Sequence, residues 1–307
     1  MRLLVVGASG FLGRNFLLAA PKEWDIHATY RAAESFPAWL AGSRLDHVLP
    51  VRVDLRDEAA VGKAIGTLRP DACLYLAADT RVRLLVEDPP LDVQNNLVPV
   101  ANVLKHHRGG RFVFVSSGAV YMGHDGAVSP HTALNPSIPY AISKHAAELY
   151  VRAAAARGWS DGSVVLRFFG AYGPFEPPRK ITTKLVQAAR ARAREFTSFG
   201  DGGNLIDVMD VDDAVRGLLA AIRGPANNVT VDFCAGSPLS LNEFAAAVGG
   251  IFGHAFEIRH EGESPEYIRF HASPEGMAAA FGLRPQTTLT EGMRRLDAWL
   301  ASPETTG

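Results

Sequence analysis

The chain has 307 residues, 47% of them hydrophobic and 21% charged, with a formal net charge of −1. That balance gives no reason to expect nucleic acid or an acidic membrane as a partner, and no apolar run approaches the roughly 20 residues that span a bilayer. The N-terminus, "MRLLVVGASGFLG", leads straight into a strand and a Gly-rich turn rather than a signal peptide. Cys73 and Cys234 both fall in apolar runs, where a buried thiol is expected rather than a disulfide. These features describe a cytoplasmic protein with no metal site, since no His/Cys spacing suggests one.

In chain order, segments 2–7, 25–30, 48–54, 72–78, 111–117 and 163–169 read as strands. Their near-continuous Val, Ile, Leu and Phe content suits strands covered on both faces, as in a parallel sheet. Segments 11–20, 57–68, 89–107 and 140–157 read as helices between them. This alternation predicts an α/β class protein with a doubly wound sheet over residues 1–170. His106 and His107 then read as cations at a helix C-terminus. After Phe169 comes a Gly/Pro-rich loop, "GAYGPFEPPRK" (170–180). Helices near 181–195, 211–223, 240–252, 274–281 and 289–301 follow, with a strand near 229–233. Residues 171–307 are expected to form a smaller α/β lobe on the substrate side, interleaved with the first unit.

"GASGFLG" sets Gly7, Gly10 and Gly13 after the first strand and at the start of a helix. Glycines let the backbone approach a pyrophosphate closely, and the helix N-terminus offers free N–H groups and positive dipole. The intervening Ser9, Phe11 and Leu12 belong to the same turn. In "YAISK", Tyr140 and Lys144 stand four apart, so both project from one helix face. A nearby ammonium moves a phenol, ordinarily of pKa about 10, towards neutrality. Ser117, at the end of the fifth strand, would polarise a carbonyl whose oxygen Tyr140 protonates.

The GxxGxxG spacing and the Ser, Tyr, Lys set together resemble the extended short-chain dehydrogenase/reductase family, the group of NAD-dependent epimerases and dehydratases. "LRFFGAYGP", "FGDGGNLIDVMDVDDAVRGLL" and the tail "SLNEFAAAV…FGLRPQTTLTEGMRRLDAWL" are similar to that group's patterns over nearly the whole chain. The resemblance implies a Rossmann fold with Ser117, Tyr140 and Lys144 as catalytic residues, and Lys144 also on the nicotinamide ribose. It also implies Asp54 and Leu55 beside the adenine, Ala77, Ala78 and Ser116 along the dinucleotide, and Asn96 as a structural or water-relay residue. A homodimer joined through helices 89–107 and 140–157 is implied as well.

Which dinucleotide binds depends on the end of the second strand, where a carboxylate would favour NAD. The chain has Thr29, Tyr30 and Arg31 there, with no carboxylate before Glu34. A guanidinium forks well onto a 2′-phosphate, so NADP(H) is expected, with NAD as the alternative. In the group's dehydratases the two residues after the catalytic hydroxyl are acidic. Here they are Gly118 and Ala119, which cannot transfer a proton. Reduction of a 4-keto nucleotide sugar by NADPH is therefore expected, with NAD-dependent 4-epimerisation or reduction of a non-sugar ketone as alternatives.

The substrate side departs from the group's pattern. Gly170 replaces an asparagine, Ile206 an arginine and Leu85 a serine. A diphosphate still needs cations or N–H donors. Arg81, Arg83, Arg179, Lys180 and Arg269 are the candidates to compensate, with Thr80 and Tyr121 as further substrate contacts.

Overall fold

The computed structural model describes residues 1–264 and 267–302. Its centre is a seven-stranded, all-parallel sheet. In chain order the strands are β1 (Arg2–Val6), β2 (Asp25–Tyr30), β3 (Val48–Arg52), β4 (Ala72–Tyr75), β5 (Arg111–Val115), β6 (Gly162–Phe168) and β7 (Val229–Phe233). Across the sheet they run β7-β6-β5-β4-β1-β2-β3. The order reverses between β1 and β4, which opens a crevice at the carboxyl ends of those strands. The strands read as uninterrupted apolar runs because both faces are covered. Leu3, Val5, Ile26, Leu74, Val113 and Leu166 pack into one core layer. Leu4, Val6, Tyr75, Phe112, Phe114 and Val165 pack into the other.

The helices of the first half are α1 (Phe11–Ala19), α2 (Phe36–Gly42), α3 (Glu58–Ile65), α4 (Val82–Glu87), α5 (Pro89–Asp92), α6 (Val98–His106) and α7 (Pro139–Ala156). Two departures from the sequence reading have local causes. First, α2 lies in a stretch left without an element by pattern alone; Pro37 in its first turn and the buried Phe36 and Leu40 fix it. Second, the expected single helix over 89–107 is broken. Pro99 lacks an N–H and would crowd the carbonyl four residues back, so Val93–Leu97 opens into a π turn between α5 and α6. A further correction concerns His107. It is buried, and desolvation pushes it down to about 4, so it sits neutral rather than as a helix-end cation. His106 instead meets Glu58.

Beyond β6 the chain forms α8 (Ile181–Arg190), α9 (Val211–Arg223), β7, α10 (Leu241–Ile251), α11 (Glu275–Phe281) and α12 (Leu289–Leu300). Strand β7 pairs with β6 from Val229↔Val164 to Phe233↔Phe168, so this later segment completes the central sheet. A separate cluster of Leu185, Val186, Phe244, Val248, Met293 and Leu296 holds α8, α10 and α12 together. Capping boxes at Ser240/Glu243 and Thr288/Glu291 start the last two of those helices. Among the described residues no helix is long and apolar enough to cross a membrane, and no cluster of His, Cys, Asp and Glu could hold a metal ion.

Candidate active site

A groove of about 450 Å³ opens at the carboxyl ends of β1, β2 and β4. Gly7, Ser9 and Gly10 form its floor. Gly7 takes φ +84°, and a Cβ there would lie 2.7 Å from the Ala77 backbone, so only glycine fits between β1 and the loop after β4. No side chain caps α1 at Gly10, which leaves the first N–H groups of that helix free for an anion. Gly13 serves packing: a Cβ there would sit 2.4 Å from the Ala8 carbonyl oxygen. Phe11 and Leu12 turn towards the apolar core.

Tyr30, Arg31, Asp54 and Leu55 line one end of the groove, and Ala77 and Ala78 its side. The Asp54 carboxylate accepts from Arg56 Nη2 at 2.6 Å, and this hydrogen bond holds it well below the usual range. Glu34 faces Arg52 at 3.8 Å instead of the groove. Arg31 is thus the exposed cation of this wall, with Arg56 already engaged.

Ser117, Tyr140 and Lys144 are not among the residues that line this groove; β5 leads into Ser117, whose Oγ accepts from Ala119 N at 3.1 Å. Helix α7 packs on the short turn Gly118–Tyr121 and carries Tyr140 and Lys144. Tyr140 is 8% exposed and packs with Val82, Leu85 and Ala119. Leu85, where the family pattern has a serine, is therefore a buried packing residue beneath the phenol. Lys144 is buried; its ammonium donates to the Val115 carbonyl at 2.6 Å and lies 4.4 Å from the centre of the Phe114 ring. Burial pushes Lys144 down to about 7 against the pull of Glu148 and Asp92.

Two expected contacts lie elsewhere. Ser116 does not reach the groove: its hydroxyl donates into the interior, to Glu148 Oε1 at 2.6 Å. Tyr121 is enclosed, donating to Asp232 at 2.7 Å and accepting from Arg167 Nη1 at 2.8 Å, so it cannot touch a substrate. Both turn inward because the interior holds two buried carboxylates, Glu148 and Asp232, that accept from them, which no local motif reveals. Arg179 reaches over the groove to donate to Thr80 Oγ1 at 2.8 Å, and Arg81 lines the same wall while bonded to Asp79 at 2.9 Å. Arg83 lies on the exposed Phe199 ring, Arg269 faces Asp125 at 3.9 Å, and Lys180 is exposed at the start of α8. Sequence reasoning missed Asp79 and Asn95, which bond to each other at 3.0 Å on the groove wall. Asp79 directly follows Ala77-Ala78 and was the signal available.

Residues 3–234 match the model of the NAD dependent epimerase/dehydratase family. The chain belongs to that family. Members of this family are NAD(P)-dependent oxidoreductases and epimerases of the extended short-chain dehydrogenase type that act on nucleotide sugars, and this chain is an enzyme of that type. Among its relatives, a dTDP-glucose 4,6-dehydratase of Mycolicibacterium smegmatis is 31% identical over 231 residues, covering 69% of this chain and 66% of that one. The chain thus spans just under two thirds of that relative. GDP-6-deoxy-D-mannose reductase of Pseudomonas aeruginosa is 28% identical over 316 residues, covering 96% and 95%. Among solved structures, the Thermus thermophilus UDP-glucose 4-epimerase complex with NAD aligns at TM-score 0.83 and 26% identity, covering 99% and 100%. RMD from Pseudomonas aeruginosa complexed with NADPH aligns at 0.79 and 25%, covering 98% and 99%. A nicotinamide cofactor fits the family member described here. The Gly7–Ala77 approach and the uncapped start of α1 are features that suit such a group.

Proposed function

We propose that this enzyme uses NADPH to reduce the 4-keto group of a nucleotide-activated deoxysugar. The observation that carries the reading is Arg31, an exposed guanidinium on the groove wall where a ribose-binding carboxylate would favour NAD. The turn after Ser117 supports it. A Cβ on Gly118 would lie 3.1 Å from the Phe169 ring, so any larger residue there needs that ring to give way. Proton transfers of the dehydratase kind have no group to perform them.

When bound, the reduced nicotinamide supplies the hydride. The protein does the rest. Ser117 Oγ and the Tyr140 hydroxyl hold the ketone oxygen, and Tyr140 gives it a proton. Lys144, charged below about pH 7, stabilises the phenolate that remains. Arg179, bonded to Thr80 at the groove, is the cation placed to meet an anionic substrate, while Arg81 on the same wall is already engaged by Asp79.

The second reading is 4-epimerisation with retained NAD, favoured by the full-length similarity to the Thermus enzyme. We place the enzyme in the cytoplasm, where its two buried thiols, Cys73 and Cys234, stay reduced. We further propose a homodimer through α7, whose outer face exposes Ile142, Leu149 and Tyr150; a monomer in sedimentation equilibrium would refute it. The activity itself is tested by following NADPH consumption with nucleotide-linked 4-keto-6-deoxysugars beside free ketones. Turnover confined to the linked sugars supports the proposal. Turnover of free ketones alone contradicts it.

A further inference from the structure

The chemistry above leaves a buried ionic cluster without a task. Glu148 of α7, Arg167 of β6 and Asp232 of β7 lie in the interior with Ser116 and Tyr121, none of them more than 3% exposed. Arg167 Nη2 donates to Glu148 Oε2 at 2.9 Å and its Nε to Oε1 at 3.1 Å, while its Nη1 donates to the Tyr121 hydroxyl at 2.8 Å. Ser116 Oγ donates to Glu148 Oε1 at 2.6 Å, and Tyr121 donates to Asp232 at 2.7 Å. Arg152 and His145 stand at the edge, 3.5 Å and 3.9 Å from Glu148 Oε2. Buried ion pairs of this kind add little stability over a well-packed apolar cluster, because desolvation offsets the attraction. Their better use is to fix one conformation.

What the cluster fixes is the segment that carries Ser117. At its start, the Val115 carbonyl accepts from Lys144 Nζ at 2.6 Å and Ser116 is held by Glu148. Two α7 residues four apart thus fasten the end of β5 to the helix that also carries Tyr140. At the other end, Tyr121 closes the short turn Gly118–Tyr121 and is held by Arg167 and Asp232. Ser117 is extended, with φ −143° and ψ 146°, and successive side chains of extended backbone point to opposite sides. Pinning Ser116 inward therefore turns Ser117 away from the interior, and Ser117 is the partly exposed member of the pair. Arg167 joins both ends through one planar group. A lysine, with a single point of charge, cannot fork onto Glu148 and reach Tyr121 together.

We propose that Arg167 is a positioning residue: through Glu148 and Tyr121 it holds both ends of segment 116–121, and so sets the place of Ser117 relative to α7. Glu148 is the arm to the start of the segment and Tyr121 the arm to its end, with Asp232 tying the second arm to β7. The inference rests on Ser117 acting as proposed above and does not depend on which ketone is reduced.

The test reads position 117 directly, without substrate. Cys73 and Cys234 are both fully buried, so Ser117→Cys supplies one accessible thiol. Its alkylation by iodoacetamide, located by peptide mass mapping, is timed in that variant alone and in combination with Tyr121→Phe or Arg167→Lys. Each added substitution removes a charged hydrogen bond that holds the segment, so alkylation at position 117 should quicken by about tenfold or more while Cys73 stays protected. Folded double variants that react no faster than Ser117→Cys would overturn the proposal. Equal acceleration at Cys73 would overturn it too, since that marks general loosening. Tyr121→Phe keeps the ring that packs on Phe169 and Phe270, and carries the test should Arg167→Lys not fold. With Ser117 intact, Tyr121→Phe should lower kcat about 10–100-fold at unchanged NADPH affinity, and a loss confined to KM would contradict the positioning role. Should NADPH-dependent turnover fail on every ketone, the alkylation rates still report on Arg167.

Discussion

Two regions of the molecule differ: the groove, built largely from backbone, and the positions where the family pattern carries substrate contacts, occupied by side chains. In the first, Gly7 passes within contact of Ala77, and the start of α1 is left open by the absence of a cap. In the second, the family pattern's polar contacts have been replaced by shape. Gly170 takes φ +142°, and a Cβ there would lie 2.9 Å from Val208 Cγ1, so an asparagine does not fit. Ile206 pairs with Leu239 and packs in the apolar core of the lobe. Phe169 fills the space beside Gly118. The backbone wall serves any dinucleotide. In the second region this chain departs from its family's pattern.

That contrast can be broken at several points. The largest effect is expected from Tyr140→Phe, which removes the proposed proton donor and leaves the backbone wall intact. Its kcat should fall about 10²–10⁴-fold while NADPH binding, followed by nicotinamide fluorescence, is unchanged. Gly7→Ala attacks that wall. With φ +84° and Ala77 in the way, it should cost about 1–3 kcal/mol of stability and weaken NADPH binding by about tenfold or more, as thermal melts with and without cofactor would show.

The effect of pH separates chemistry from stability at Lys144. Its folded value, about 7, lies below the ordinary lysine range of about 10.4. Between those values the unfolded chain binds more protons than the folded one, so this residue's destabilising effect, complete below about 7, is relieved as pH rises. Reductive turnover should run the opposite way, falling as the ammonium is lost. Melting temperatures and kcat measured across this window should therefore diverge in wild type, and the Lys144-linked part of the stability change should vanish in Lys144→Met. The smallest effect probes the second region. Gly118→Asp should cost about 1–3 kcal/mol by overpacking against Phe169 without creating dehydratase activity, and Phe169→Ala in the same chain should recover most of the loss.

The same contrast explains what the sequence discloses. The strand-turn-helix around Gly7, the wall at Arg31 and Asp54, and the α7 placement of Tyr140 and Lys144 follow from spacing, because backbone geometry imposes them locally. Ser116 and Tyr121 were misplaced because their direction depends on Glu148, Arg167 and Asp232, which come from three separate elements. The π turn before Pro99 was hidden by an apolar pattern that continues through it.

The most direct test of the central claim is cofactor choice. Nicotinamide fluorescence titrations with NADPH and NADH, preceded by mass analysis of any co-purified cofactor, would be compared between wild type and Arg31→Ala. The account predicts exchangeable NADPH bound about tenfold or more tighter than NADH, with that preference lost in the variant, as expected for removal of a charged hydrogen bond. Tightly retained NAD, or a preference for NADH unaffected by Arg31→Ala, would contradict it and leave 4-epimerisation as the better reading.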